Sequence, residues 1–272
     1  MTDNTMELQP GSAVAGTPPL TKEMVDAVAV LTLQSAPYNL LSREFTVEII
    51  DALAWARAHS ARAVVLRSAL RHFSAGADLD QMLAAAEVSP ELDWPLLELL
   101  AAFREFPAPI VAGVHGACVG GGFELALACD LIVAAASAKI GSVEVTVGLH
   151  PLMGAVQRVA QRAGAARAAE MAMLGRRYDA ATLERWGVIN RVVPDEELDS
   201  ATMVLAQELA HGPTICHAAT KELLAIATAH GVQAADEAMA GVQKAIFSSA
   251  DFRTGVRSYK ERGVGMASFE GR

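Results

Sequence analysis

The stretch from Gly113 to Asp130, GVHGACVGGGFELALACD, constrains this chain more than any other. The apolar run Pro109 to Val114 leads into it and predicts a buried strand. Three consecutive glycines, Gly120 to Gly122, then permit a backbone turn where side chains would clash. From Phe123 the pattern becomes helical, with alanine and leucine on every face, so this helix is expected in the interior. The Gly121 N–H then stands at a helix N-terminus, unpaired within the helix and at the positive end of its dipole. A developing oxyanion is stabilised at such a place. Glu124, three residues on, shares a face with Gly121 and points back over the same spot. An acid in so apolar a run needs a reason.

Composition limits what can surround this stretch. Of 272 residues, 52% are hydrophobic and no polar low-complexity tract occurs, so one large globular core is expected. The net charge of −9 disfavours nucleic acid or an anionic membrane as partner. No apolar stretch approaches about 20 uncharged residues, so no spanning helix is expected. Residues 1–19 are polar and contain Gly and Pro, without a basic start and apolar core. They predict a frayed extension and no signal peptide. Cys118, Cys129 and Cys216 are odd in number and form no CxxC pair; Cys118 and Cys129 lie in the most apolar stretch, which predicts packing roles for those two, and the compartment expected is reducing and cytoplasmic.

In chain order, Val28 to Leu33 and Ala63 to Arg67 read as strands, with a helix between them capped by Ser42. His72 to Leu79 is a loop of small residues, which predicts close approach of a ligand to the backbone. A helix over 94–106 precedes the central strand and helix, and Leu131 to Ala134 and Lys139 to Gly141 are short strands. Beyond Pro151 the pattern is almost entirely helical, with one brief strand at 189–193 and a tail from Gly263. The result is an α/β core over 20–194 and a C-terminal helical region over 195–272.

Several catalytic patterns are missing. There is no GxGxxG after a strand, no GxxxxGK[ST] loop and no GxSxG elbow. The seven histidines are scattered, so no metal site is expected. What stands out is a pair of small-residue loops and two acids among apolar neighbours, Glu124 and Glu144. Backbone N–H groups could hold an enolate oxygen, each donor contributing about 3–4 kcal/mol, while the carboxylates move protons beside it. A structural role stays open for each: a tight strand–helix junction, a helix-start acid at Glu124, and a surface acid at Glu144.

The motifs Phe73-Ser74-Ala75-Gly76-Ala77-Asp78-Leu79 and Gly120-Gly121-Gly122-Phe123-Glu124-Leu125-Ala126, with Cys129-Asp130, resemble the enoyl-CoA hydratase/isomerase (crotonase) superfamily. The resemblance runs from about Val28 to the C-terminus. It implies a spiral of ββα turns with a C-terminal helical domain, trimers that pair into hexamers, and acyl-CoA thioester substrates. It also implies no cofactor apart from the coenzyme A of the substrate. Carried over by residue, it assigns an oxyanion hole to the N–H groups of Ala75 and Gly121, and catalysis to Glu124 and Glu144. The CoA site would include Ala36, Tyr38, Ser74, Ala75, Gly76, Ala77, Asp78 and Leu79, with Tyr259 and Arg262 against the nucleotide, often that of a neighbouring subunit. Asp78 could equally cap a helix, and Arg71, His72 and Lys260 are further candidate phosphate contacts.

After Glu144 the chain departs from the family's G-x-x-P-G-x-G-G pattern, reading Gly148-Leu149-His150-Pro151-Leu152-Met153-Gly154-Ala155. Leu152 and Met153 add bulk near the acyl chain, and His150 adds an ionisable group near Glu144. The expected activity is hydration of a trans-2-enoyl-CoA with altered acyl specificity. Alternatives are a Δ3–Δ2 enoyl-CoA isomerase, which needs only the acid at 144, and an acyl-CoA-binding homologue with little turnover.

Overall fold

The computed structural model describes residues 18–89 and 91–272. The expected N-terminal extension lies outside them except for Pro18 and Pro19. The first half alternates strands with helices: β1 (Leu20–Val25), β2 (Val28–Leu33), α1 (Arg43–Ala58), β3 (Ala63–Ser68), α2 (Leu79–Val88), α3 (Leu96–Arg104) and β4 (Ile110–Val114). Then come β5 (Ala117–Val119), α4 (Gly121–Ala128), β6 (Leu131–Ala135), β7 (Lys139–Gly141), α5 (Ala155–Ala163), α6 (Ala165–Leu174), β8 (Tyr178–Asp179), α7 (Ala180–Arg185) and β9 (Arg191–Val193). Four helices finish the chain: α8 (Leu198–His211), α9 (Thr214–His230), α10 (Val232–Ser248) and α11 (Ala250–Arg262).

The larger sheet runs β1-β2-β3-β4-β6-β9 and is parallel except for the β1–β2 hairpin. A smaller sheet runs β5-β7-β8 and is extended by a bridge from Ser74 to Cys118. Successive turns of chain put one strand in each sheet: β4 then β5, β6 then β7. That is the expected spiral of ββα turns.

Strand residues alternate between two apolar faces, as a sheet covered on both sides requires. Ala29, Leu31, Val64, Leu66, Ile110 and Ala112 point into the main core with residues of α1, α3 and α4. Val28, Val30, Ala63, Val65, Val111 and Val133 face the other way, against Leu198, Ala206 and Ala210 of α8. The helical region expected from residue 195 therefore begins by completing the core. Gly113 allows that close approach, since a Cβ there would lie 3.0 Å from Thr202 Oγ1. The tail from Gly263 is held: Asp251 accepts from the N–H groups of Glu270 and Gly271 at 2.8 Å each, and Arg62 donates to the Phe269 carbonyl at 3.0 Å.

Candidate active site

The helix α4 begins where the three glycines end a small-sheet strand. Gly120 takes φ +55° and donates its N–H to the Gly141 carbonyl at 3.0 Å, which ties the turn to β7. Gly122 has no room for a side chain, because a Cβ there would sit 2.5 Å from Ser74 Cβ. One turn on, Glu124 is 3% exposed. Its Oε1 accepts hydrogen bonds from the N–H groups of Met153 (2.7 Å) and Ala155 (3.0 Å), at the start of α5. Burial pushes its pKa up to about 7, the Ala155 and Met153 donors pull it down, and Glu144 nearby pushes it up.

Glu144 opens a 3₁₀ turn, Glu144–Val147, that ends at Gly148 with φ 75°. Both of its carboxylate oxygens are buried without a hydrogen-bond partner among the described residues, as is the Ser142 hydroxyl. It faces the glycine turn, since a Cβ on Gly120 would lie 3.7 Å from its Oε1. Burial raises its pKa, against the pull of its own backbone dipole, the neighbouring Ser142 hydroxyl and His150. Burial therefore favours the neutral form of both carboxyls in this one cavity.

The backbone donors differ from expectation. The Ala75 N–H is engaged by the Tyr38 carbonyl at 3.0 Å, and the Gly76 N–H by Ser74 Oγ at 3.2 Å. Leu41 donates to Gly76 O and accepts from the Asp78 N–H, forming a parallel bridge around Ala77. Among the described residues the Ala77 N–H has no acceptor, and it lies 3.6 Å from where a Cβ on Gly121 would stand. The pair of donors available to a ligand is therefore Ala77 and Gly121. The assignment of Ala75 is corrected to Ala77, two residues on.

These groups converge on a cavity of about 110 Å³. Of the expected residues, Ala75, Gly76, Ala77, Leu79, Gly121, Glu124, Glu144, His150, Leu152 and Met153 line it. Ala36, Tyr38, Ser74 and Asp78 do not. Ser74 donates to the Asn39 carbonyl at 2.8 Å, and Asp78 caps α2 by accepting from the Gln81 N–H at 3.0 Å. Tyr259 and Arg262 lie on α11 away from the cavity, with Tyr259 63% exposed. Arg71 and His72 line a different, polar cleft of about 860 Å³ that also includes His115 and Lys139. Among the described residues, no group of three His, Cys, Asp or Glu is placed to hold a metal ion.

Of the outer wall, only Leu79 and Leu152 were legible in the sequence. The cavity continues into an apolar trough of about 480 Å³, and Leu79, Met82, Leu92, Val147, Leu149 and Leu152 line both. The exposure of Leu83 and Val147 marks the rest of it, and that is visible only in the folded chain. Met153 and Ala155 were missed as donors to Glu124, because the chain distance between acid and donors is about thirty residues.

Residues 23–271 match the family described as enoyl-CoA hydratase/isomerase. The chain belongs to this family and has its crotonase fold. It is 33% identical over 242 residues to a Rhodobacter capsulatus protein named "Probable enoyl-CoA hydratase", covering 88% of this chain and 94% of that one. It is 38% identical over 180 residues to "Mevalonyl-coenzyme A hydratase SIDH" of Beauveria bassiana, and this match covers 62% of the chain and 64% of that protein. Among solved structures, an enoyl-CoA hydratase of Mycobacterium smegmatis superposes with a TM-score of 0.83 at 27% identity, covering 90% of this chain and 97% of its own.

Proposed function

We propose that the protein is an enoyl-CoA hydratase that adds water syn across a trans-2-enoyl-CoA to give a 3-hydroxyacyl-CoA. The observation that carries this reading is the pair of carboxyls, Glu124 and Glu144, both pushed toward neutrality and both lining one cavity beside two unengaged backbone donors. In this reading the thioester oxygen accepts from the Ala77 and Gly121 N–H groups, which draws electron density from Cβ. The ionised member of the carboxyl pair takes a proton from water as the hydroxyl bonds to Cβ. The neutral member gives its proton to Cα as the enolate collapses to the thioester. The pair ends the cycle with the one proton it began with.

The acyl tail leaves the cavity through the apolar trough. The cavity and the trough share six lining residues, so a longer tail runs between α2 and the 144–152 segment. The test is the loss of conjugated enoyl-thioester absorbance on a panel of trans-2-enoyl-CoAs, beside trans-3 isomers. Loss on any trans-2 substrate is expected. A gain of conjugation from trans-3 isomers alone would instead make it an isomerase, and binding without turnover an acyl-CoA-binding homologue.

A further inference from the structure

Arg158 lies on the first turn of α5, and nothing in its sequence context singles it out. Its guanidinium folds back over the helix start, where Nη1 donates to the Met153 carbonyl at 2.9 Å and the Gly154 carbonyl at 3.4 Å. The Gly154 carbonyl and the Ala155 N–H belong to one peptide unit, and that N–H holds Glu124 Oε1 at 3.0 Å. A cation on the carbonyl end of a peptide polarises its N–H end and strengthens the bond that end donates. Gly154 makes the arrangement feasible: it takes φ +88°, and a Cβ there would collide with Arg158 Nη1.

We propose that Arg158 is a positioning residue for Glu124: its guanidinium closes the 153–155 turn on which the carboxylate is seated. Both donors of that turn bind Oε1, which leaves Oε2 for the cavity that Glu124 lines. Arg158 also acts through space, since its half-buried charge and that of Glu124 favour each other. The other charged groups around Glu124 are Glu144 on the 3₁₀ turn, His150 behind it, and Arg104 at the end of α3, which opposes the charge of Arg158.

The proposal rests on the reading of Glu124 as a catalytic carboxyl, so its test has two readouts. One is steady-state hydration across pH. The other is the titration of the Glu124 carboxyl stretch by infrared difference against E124Q, which needs no turnover. R158Q is expected to lower kcat about tenfold or more with KM changed less than about threefold. It should also move the Glu124 titration, and the alkaline limb of activity, up by about half a unit or more. R158K keeps the charge and should hold that titration close to wild type. If R158Q does not fold, R158M carries the same test, because it removes the guanidinium and its carbonyl contacts while leaving the backbone of the 153–155 turn unchanged and should raise the Glu124 titration likewise. Titration and kcat of R158Q within about twofold of wild type would overturn the proposal. If the wild type hydrates no enoyl-CoA, the functional reading fails, and the infrared titration still decides the role of Arg158.

Discussion

The two acids of the cavity occupy opposite kinds of ground. Glu124 sits on α4, where every neighbour from Gly121 to Leu127 is buried, and two backbone donors grip one of its oxygens. Glu144 sits on a short turn whose next residues are open to solvent, Val145 at 42% and Val147 at 54% exposure, and among the described residues no hydrogen-bond donor meets either oxygen. One carboxyl is seated and the other is only enclosed. The difference teaches how a fold can position a proton carrier without satisfying it. In the proposed reaction the seated acid would fix the geometry, and the enclosed one would keep its lone pairs for water and substrate.

Removing each carboxyl tests that contrast with the largest effect. Glu124→Gln is expected to lower kcat about 10³-fold, within the range for a positioned acid–base group. Glu144→Gln should also cost about 10²-fold or more, with thioester KM little changed in both because backbone groups hold the thioester. Steady-state kinetics on one trans-2-enoyl-CoA decides it. Full activity in either variant removes that acid from the mechanism.

How legible was this in the sequence? Strands such as Val28–Leu33 and Lys139–Gly141 were readable because their apolar pattern is local. β1 was not, since Thr21, Lys22 and Glu23 are exposed and it exists only by pairing with β2. The glycine turn and Glu124 were visible as a contradiction, an acid in an apolar helix. The second backbone donor was misplaced by two residues, because Tyr38 and Leu41, more than thirty positions away, decide which N–H of the Ala75–Ala77 segment is engaged. Arg158 was invisible for the same reason: what marks it is which carbonyls it meets.

The second test reads the seat of Glu124 as stability. Its carboxyl titrates at about 7 in the folded chain against an ordinary value of 4.5. Between those values the folded state binds more protons than the unfolded one, so stability falls as pH rises and the loss is complete above about pH 7. The full loss is about 3 kcal/mol for one well-buried group. Denaturant midpoints across pH 4.5 to 8 should therefore show a decline in wild type that Glu124→Gln flattens. Glu144→Gln should leave the onset of the decline in place, make it smaller and complete it at lower pH, since it removes the repulsion that raises Glu124. An equal slope in wild type and Glu124→Gln would mean the carboxyl is better solvated than its seat implies.

The smallest effect concerns the exposed side of the Glu144 turn. Val147 lines both the cavity and the trough, so its exposure has a use if an acyl tail covers it. Each methylene buried there contributes about fourfold in binding. Val147→Ser removes roughly one to two methylenes' worth of apolar contact. It should reduce the ratio of kcat/KM for trans-2-dodecenoyl-CoA over crotonyl-CoA by about fivefold. The ratio isolates the tail, because any disturbance of Glu144 by the same substitution acts on both substrates alike. An unchanged ratio would send the tail elsewhere and leave the exposed valines without a ligand. A ratio that falls would make the open turn the specificity wall of the site, and the buried helix its fixed reference.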